Sequence, residues 1–108
     1  MTDITTVAVL GTGVLGSQIA FQTAYSGFAV TAYDISDDAL AAARERFAHL
    51  AATYRAEVPG AAEDGKADLA LMRLTLSTDL DAAAQADLVI EAVPEVLDLK
   101  RDVYTRLG

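Results

Sequence analysis

The order of apolar runs and glycines along this chain predicts an α/β domain built on a doubly wound parallel sheet. Three observations carry that expectation. An apolar run extends almost unbroken from Ile4 to Leu10, the stretch Gly11-Thr12-Gly13-Val14-Leu15-Gly16 follows it directly, and a second apolar run closes on an acid, Asp34. A strand that is apolar on both faces belongs in a sheet covered on both sides, which is the usual setting of parallel strands. A turn of closely spaced glycines that opens a helix is how such a strand sends the chain back across the sheet.

Ile4 to Leu10 is therefore the first strand. Gly11 lets the backbone leave it in a turn that needs positive φ or very little room, Gly13 removes a Cβ where an anion must approach the main chain, and Gly16 allows the next helix to lie close to its strand. That helix starts near Val14 and runs to Ser26, with Gly27 placed to cap its carboxyl end. Phe28 to Tyr33 gives the second strand, and the βαβ crossover is right-handed. Ser36 is a good N-cap for a second helix, whose positive end Asp37 and Asp38 suit. Leu40, Ala43, Phe47, Leu50 and Tyr54 recur at helical spacing and mark its buried face. Val58-Pro59-Gly60 ends this long helix, and Ala61 to Lys66 reads as a surface connection before a short helix to about Met72. Leu74 to Leu76 is a brief third strand, after which Ser77, Thr78 and Asp79 cap a short helix through Gln85. Asp87 to Val93 is the fourth strand, and Pro94 to Leu107 the last helix, with proline in its first turn.

Four strands in the order 3-2-1-4, with helices on both faces, make half of a Rossmann-type fold plus the start of its second half. The sheet is expected to be truncated, with residues 1–108 as one NAD(P)-binding domain and the outer edge of the fourth strand bare or covered by another molecule.

A length of 108 residues suits one compact domain. The chain has no cysteine, which excludes a disulfide framework, thiol catalysis and cysteine-ligated metal. No apolar run approaches a membrane span and the amino terminus does not read as a signal peptide, so a cytoplasmic location is expected. The formal net charge of −8 argues against nucleic acid or an anionic membrane as partner. An anionic cofactor must then be captured locally. Between Met1 and Ile35 there is no lysine or arginine, so the free N–H groups and dipole of the helix beginning at Val14 must hold the diphosphate.

Asp34, where the chain leaves the second strand, can accept hydrogen bonds from both hydroxyls of an adenosine ribose and repels a 2′-phosphate. Ile35 and Ser36 offer no arginine to hold such a phosphate, which selects NAD over NADP. Capping of the second helix, shared with Ser36, is the other use Asp34 could have. Glu95 either favours the amino end of its helix or meets the cofactor. Lys100 either lays its stem over apolar surface or points outward at something beyond the helix. His49 reads as a surface or partly buried helix residue, and Glu91 could be hydrogen-bonded near the cofactor edge. No serine–histidine–acid set, metal-ligand cluster or paired-carboxylate site can be assembled.

The glycine loop, Asp34, and the stretch from Ser77-Thr78-Asp79-Leu80 through Asp87-Leu88-Val89-Ile90-Glu91-Ala92-Val93-Pro94-Glu95 together resemble the NAD-binding domain of the 3-hydroxyacyl-CoA dehydrogenase family. The resemblance covers essentially the whole chain, and its second block is far more specific than the loop. It implies reversible hydride transfer between NAD and a 3-hydroxy or 3-keto substrate, either an acyl-CoA or a diketone. It also implies cofactor contacts from Gly11, Thr12, Gly13, Val14, Leu15, Gly16, Asp34, Ile35, Ala92, Val93, Glu95 and Lys100. The helical excursion from Ser36 to Met72 is similar to an insertion of the family. Thr12 and Leu15 stand where many members carry alanine and methionine, and Ser17-Gln18 replaces a glycine-containing pair. Members place their catalytic histidine, its glutamate partner, a substrate-positioning serine and asparagine, and a dimer-forming helical domain beyond the position matching Gly108. The implied parent is thus a homodimeric enzyme, no catalytic residue falls within this segment, and alone it is expected to bind NAD weakly and turn over nothing. A non-enzymatic module that senses NAD and NADH through a protein partner is the alternative, and an FAD- or methyl-donor-binding relative a more distant one.

Overall fold

The structure, a computed structural model, describes residues 4–92. In chain order they form β1 (Thr6–Leu10), α1 (Val14–Tyr25), β2 (Ala29–Tyr33), α2 (Asp37–Glu57), α3 (Lys66–Arg73), β3 (Leu74–Ser77), α4 (Leu80–Ala84) and β4 (Leu88–Glu91). The strands make one sheet in the order β3-β2-β1-β4, every pairing parallel. The Rossmann-type order read from the sequence is the one observed. From β1 to β3 the chain steps one way across the sheet, and from β3 to β4 it returns. Right-handed crossovers then place α1, α2 and α3 on one face and α4 on the other. The first three helices pack on one another, and α4 lies against β1, β2 and β3. Val93 and the helix expected over Pro94 to Leu107 lie outside the described residues. Among the described residues, no helix is long and apolar enough to cross a membrane.

Small residues set how closely these layers approach. Val7, Ala8 and Val9 of β1 are buried from both faces, and Ala20, Ala24, Ala43, Ala51, Ala67 and Ala70 line the helix contacts with no exposed surface. Phe21 is the largest side chain fully enclosed, and burial of such a ring is worth roughly 1.5–3 kcal/mol. It meets Tyr54 edge to face at 4.7 Å, and Tyr54 meets Tyr25 likewise at 5.0 Å. Tyr54 is only half-buried because its hydroxyl donates to Gln22 Oε1 at the surface. On the expected buried face of α2, Leu50 is likewise half-buried, while Ala51 turns fully inward.

Two sequence expectations change. Strand β1 begins at Thr6, not Ile4, because the Asp87 carboxylate accepts from the Thr5 and Thr6 amides at 2.9 and 3.2 Å where a strand partner would otherwise sit. Those bonds, the Thr5 amide's first, hold the Asp87 carboxyl below its usual range. The segment after α2 is not wholly a surface connection. A turn at Gly60, with φ of 85°, tucks Ala61 into the core at 1% exposure, and the Ala61 carbonyl accepts from Ala67 at 3.2 Å. Ser36 caps α2 as expected, its hydroxyl accepting from Ala39 at 3.1 Å, whereas α1 ends at Tyr25 with Ser26 as its C-cap and Gly27, with φ of 113°, one residue beyond.

Gly16 sits where α1 lies tightly against the turn after β1. A Cβ there would lie 2.0 Å from the Gly11 carbonyl oxygen and 3.3 Å from Ala92 Cβ, so α1 would have to lift off β1. A Cβ on Gly13 would meet nothing within 4 Å. Gly16→Ala is therefore expected to cost at least about 2 kcal/mol in urea unfolding, and Gly13→Ala about 1 kcal/mol or less, the usual difference at an N-cap. Equal losses from the two substitutions would contradict this account of the loop.

Candidate dinucleotide-binding site

Parallel pairing brings the carboxyl ends of the strands to one rim, Leu10 beside both Tyr33 and Glu91, and Tyr33 beside Ser77. The chain leaves that rim in a fixed geometry. Gly11 N–H donates to the Tyr33 carbonyl at 2.8 Å, Ala92 N–H to the Leu10 carbonyl at 2.8 Å, and Asp34 N–H to the Ser77 carbonyl at 3.2 Å. Gly11, with φ of 101°, turns the main chain sharply over the end of β1. Helix α1 then starts on Gly13, which provides no side-chain cap, and carries no acid in its first turn. Its first internal bond runs from Ser17 N–H to the Gly13 carbonyl at 2.9 Å. The opening amides, at Val14 and Leu15, have no acceptor among the described residues. Gly13, Val14 and Leu15 are exposed. A helix head with free amides, positive dipole and clear space above a glycine is suited to a diphosphate.

The middle of the loop is held by side chains from three directions. Asp34 Oδ2 accepts from the Thr12 amide at 2.9 Å and the Thr12 hydroxyl at 2.7 Å, while Oδ1 accepts from the Ile35 amide at 2.7 Å. The Thr12 carbonyl accepts from the Ser17 hydroxyl at 2.9 Å and from Arg46 Nη1 at 3.0 Å. Thr12 and Ser17 are polar yet only 2% and 1% exposed, and these bonds account for their burial. Capping of α2 falls to Ser36, not to Asp34, which faces the loop instead.

Among the residues read as cofactor contacts, Gly11 to Gly16, Asp34 and Ile35 gather on this rim, Ile35 being 82% exposed. Ala92 is buried beneath Gly16. Val93, Glu95 and Lys100 lie outside the described residues. Glu91 is exposed at the end of β4. His49 is exposed on α2, as read, and lines a groove of about 380 Å³ with Arg46, Leu50 and the α1 residues Val14, Ser17 and Gln18. Arg46 was not among the residues expected at the site, because it lies on α2, well beyond the loop in sequence. The available signal was its helical spacing from Ala43, which sets it beside the buried face of α2.

Partial burial pushes the Asp34 carboxyl up, but the Thr12 hydroxyl and amide, the Ile35 amide and the Arg46 guanidinium outweigh it and hold the group below its ordinary 3.8. A carboxyl whose pKa is lower in the folded state contributes stability that is present above the unfolded value and is lost as pH falls through the folded one. Asp34→Asn is accordingly expected to reduce stability in urea at pH 7, with the gap from wild type shrinking as pH falls below about 3.8. A gap that stays constant from pH 7 to pH 3 would contradict the assignment.

The model of the 3-hydroxyacyl-CoA dehydrogenase NAD-binding domain matches residues 6–108. L-carnitine dehydrogenase of Streptomyces griseus is 42% identical over 97% of this chain and 30% of its own length. 3-Hydroxyadipyl-CoA dehydrogenase of Escherichia coli is 38% identical over 100% of this chain and 22% of its own. A solved diketoreductase acting on dicarbonyl compounds is 69% identical and superposes with a TM-score of 0.88 over 100% of this chain and 38% of its own. The chain thus spans less than two fifths of each of these relatives. With its glycine loop and Asp34 on one rim, it belongs to the 3-hydroxyacyl-CoA dehydrogenase family, whose NAD-binding domain it matches over residues 6–108.

Proposed function

We propose that the protein containing this chain is an oxidoreductase that moves a hydride between NAD and the 3-position of a 3-hydroxy or 3-keto compound, and that residues 1–108 supply its cofactor cradle. The observation that supports this reading is the direct bonding of the Asp34 carboxylate to the glycine loop, which sets an acceptor suited to a ribose beside a helix head suited to a diphosphate. NAD supplies a hydride acceptor and, when reduced, a hydride donor. This chain's part is to bind and orient it. The amides at the head of α1 would hold the diphosphate, Asp34 the adenosine ribose, and Val14, Leu15 and Ile35 would offer apolar surface on either side. Family resemblance adds Ala92, Val93, Glu95 and Lys100. Ile35 and Ser36 bring no cation for a 2′-phosphate, and the Arg46 guanidinium is engaged by the Thr12 carbonyl, which supports NAD over NADP.

The substrate reading follows the relatives. Identity of 69% to a diketoreductase, against 38% to a 3-hydroxyadipyl-CoA dehydrogenase, supports a small dicarbonyl compound over a CoA thioester. On family grounds the complete protein is a cytoplasmic homodimer whose catalytic groups are supplied by other parts. In titration calorimetry the chain should bind NAD at least about ten-fold more tightly than NADP, the scale of one charge-assisted hydrogen bond. Asp34→Ala should weaken NAD and narrow that gap, and an unchanged preference would refute the role of Asp34. With a diketone and NADH, the 108-residue chain alone should show background turnover only, and measurable turnover would overturn the division of labour.

A further inference from the structure

We propose that Thr12 is a cofactor-positioning residue: it occupies Asp34 Oδ2 through both its amide and its hydroxyl, so that the carboxylate reads one hydroxyl of the adenosine ribose through Oδ1. This rests on the reading of the rim as an NAD site and narrows the earlier expectation that Asp34 accepts from both hydroxyls. An ionised carboxylate has about four acceptor positions. Three are filled within the protein, two on Oδ2 by Thr12 and one on Oδ1 by the Ile35 amide. Among the described residues, the position left over is on Oδ1.

The arrangement is anchored against rearrangement. Thr12 is 2% exposed, and its carbonyl is fixed by the Ser17 hydroxyl from α1 and by Arg46 from α2, so a ribose cannot draw Oδ2 away without breaking into a braced loop. Among the described residues, the charged group facing Asp34 is Arg46, from α2. The glycine loop brings Thr12 and no charge, and the end of β3 brings only the Ser77 carbonyl, which takes the Asp34 amide. Thr12 therefore limits how many ribose hydroxyls the carboxylate serves and, together with the Ile35 amide and Arg46, keeps it acidic against its partial burial.

The test uses NAD and its two analogues lacking the 2′- or the 3′-hydroxyl of the adenosine ribose, titrated into wild type, Thr12→Ser and Thr12→Val. Wild type and Thr12→Ser should lose about ten-fold in affinity with one analogue and less than about two-fold with the other. Thr12→Val keeps the shape of the side chain and removes the hydroxyl donor. It should lose affinity with both analogues, and the acid limb of its NAD affinity should move to higher pH, since Asp34 must stay ionised to accept. Thr12→Ala serves the same purpose if valine disturbs the loop. Comparable losses with both analogues in wild type would overturn the proposal, as would a Thr12→Val protein with the wild-type analogue pattern and acid limb. Failure of folded wild type to bind unmodified NAD would instead sink the underlying NAD reading, and this inference with it.

Discussion

The paired hydrogen bonds from Thr12 to the Asp34 carboxylate are the constraint on which the site depends. They tie the turn after β1 to the end of β2, two points separated by the whole of α1, and so fix the distance between a helix head and an acid. The β1–β2 pairing and the Gly11 to Tyr33 bond bring the two ends together, and the Thr12 bonds then turn the carboxylate itself onto the loop. With them, a single rim presents main-chain donors and an ionised acceptor in a set relation. Ser17 and Arg46 complete the bracing from α1 and α2, and among the described residues no buried side-chain polar atom lacks a partner. A polar cluster of this kind stabilises only when every member is satisfied.

The alanine and glycine content explains how the helix head reaches that rim. Gly16 lets α1 rest on the Gly11 carbonyl, and a Cβ there would collide with main chain that cannot yield. Ala20 and Ala24 carry the same close approach along the helix. The consequence is electrostatic. A chain with a formal net charge of −8 repels anions over most of its surface, so a diphosphate is attracted only where local donors outweigh that field. The uncapped start of α1, free of acidic residues in its first turn, is such a place.

Most of the fold was legible because its signals are local. The run Val7 to Val9 is buried on both faces as its composition implies, Ser36 caps α2, and the strand order is the one of a doubly wound sheet that the strand, glycine loop and helix signal. What was not legible depends on tertiary contact. Nothing adjacent in sequence says that Asp87 takes the Thr5 and Thr6 amides and delays the start of β1, or that Ala61 folds inward from a polar segment. At the site, the glycines and Asp34 could be found because each answers a backbone or charge requirement stated by spacing. The bonding of Thr12 to Asp34 and of Arg46 to the Thr12 carbonyl was not legible, since it joins the loop, β2 and α2, which approach one another only in the folded chain.

The measurement that tests the central claim most directly is an NMR titration of the isotopically labelled chain with NAD, following backbone amides residue by residue. If the braced rim is the cofactor site, the largest shifts fall on Gly13, Val14, Leu15 and Ile35, with Thr12 and Arg46 following as the loop responds. Saturable binding that leaves those amides unmoved and instead shifts residues at the outer edge of β3 would contradict it.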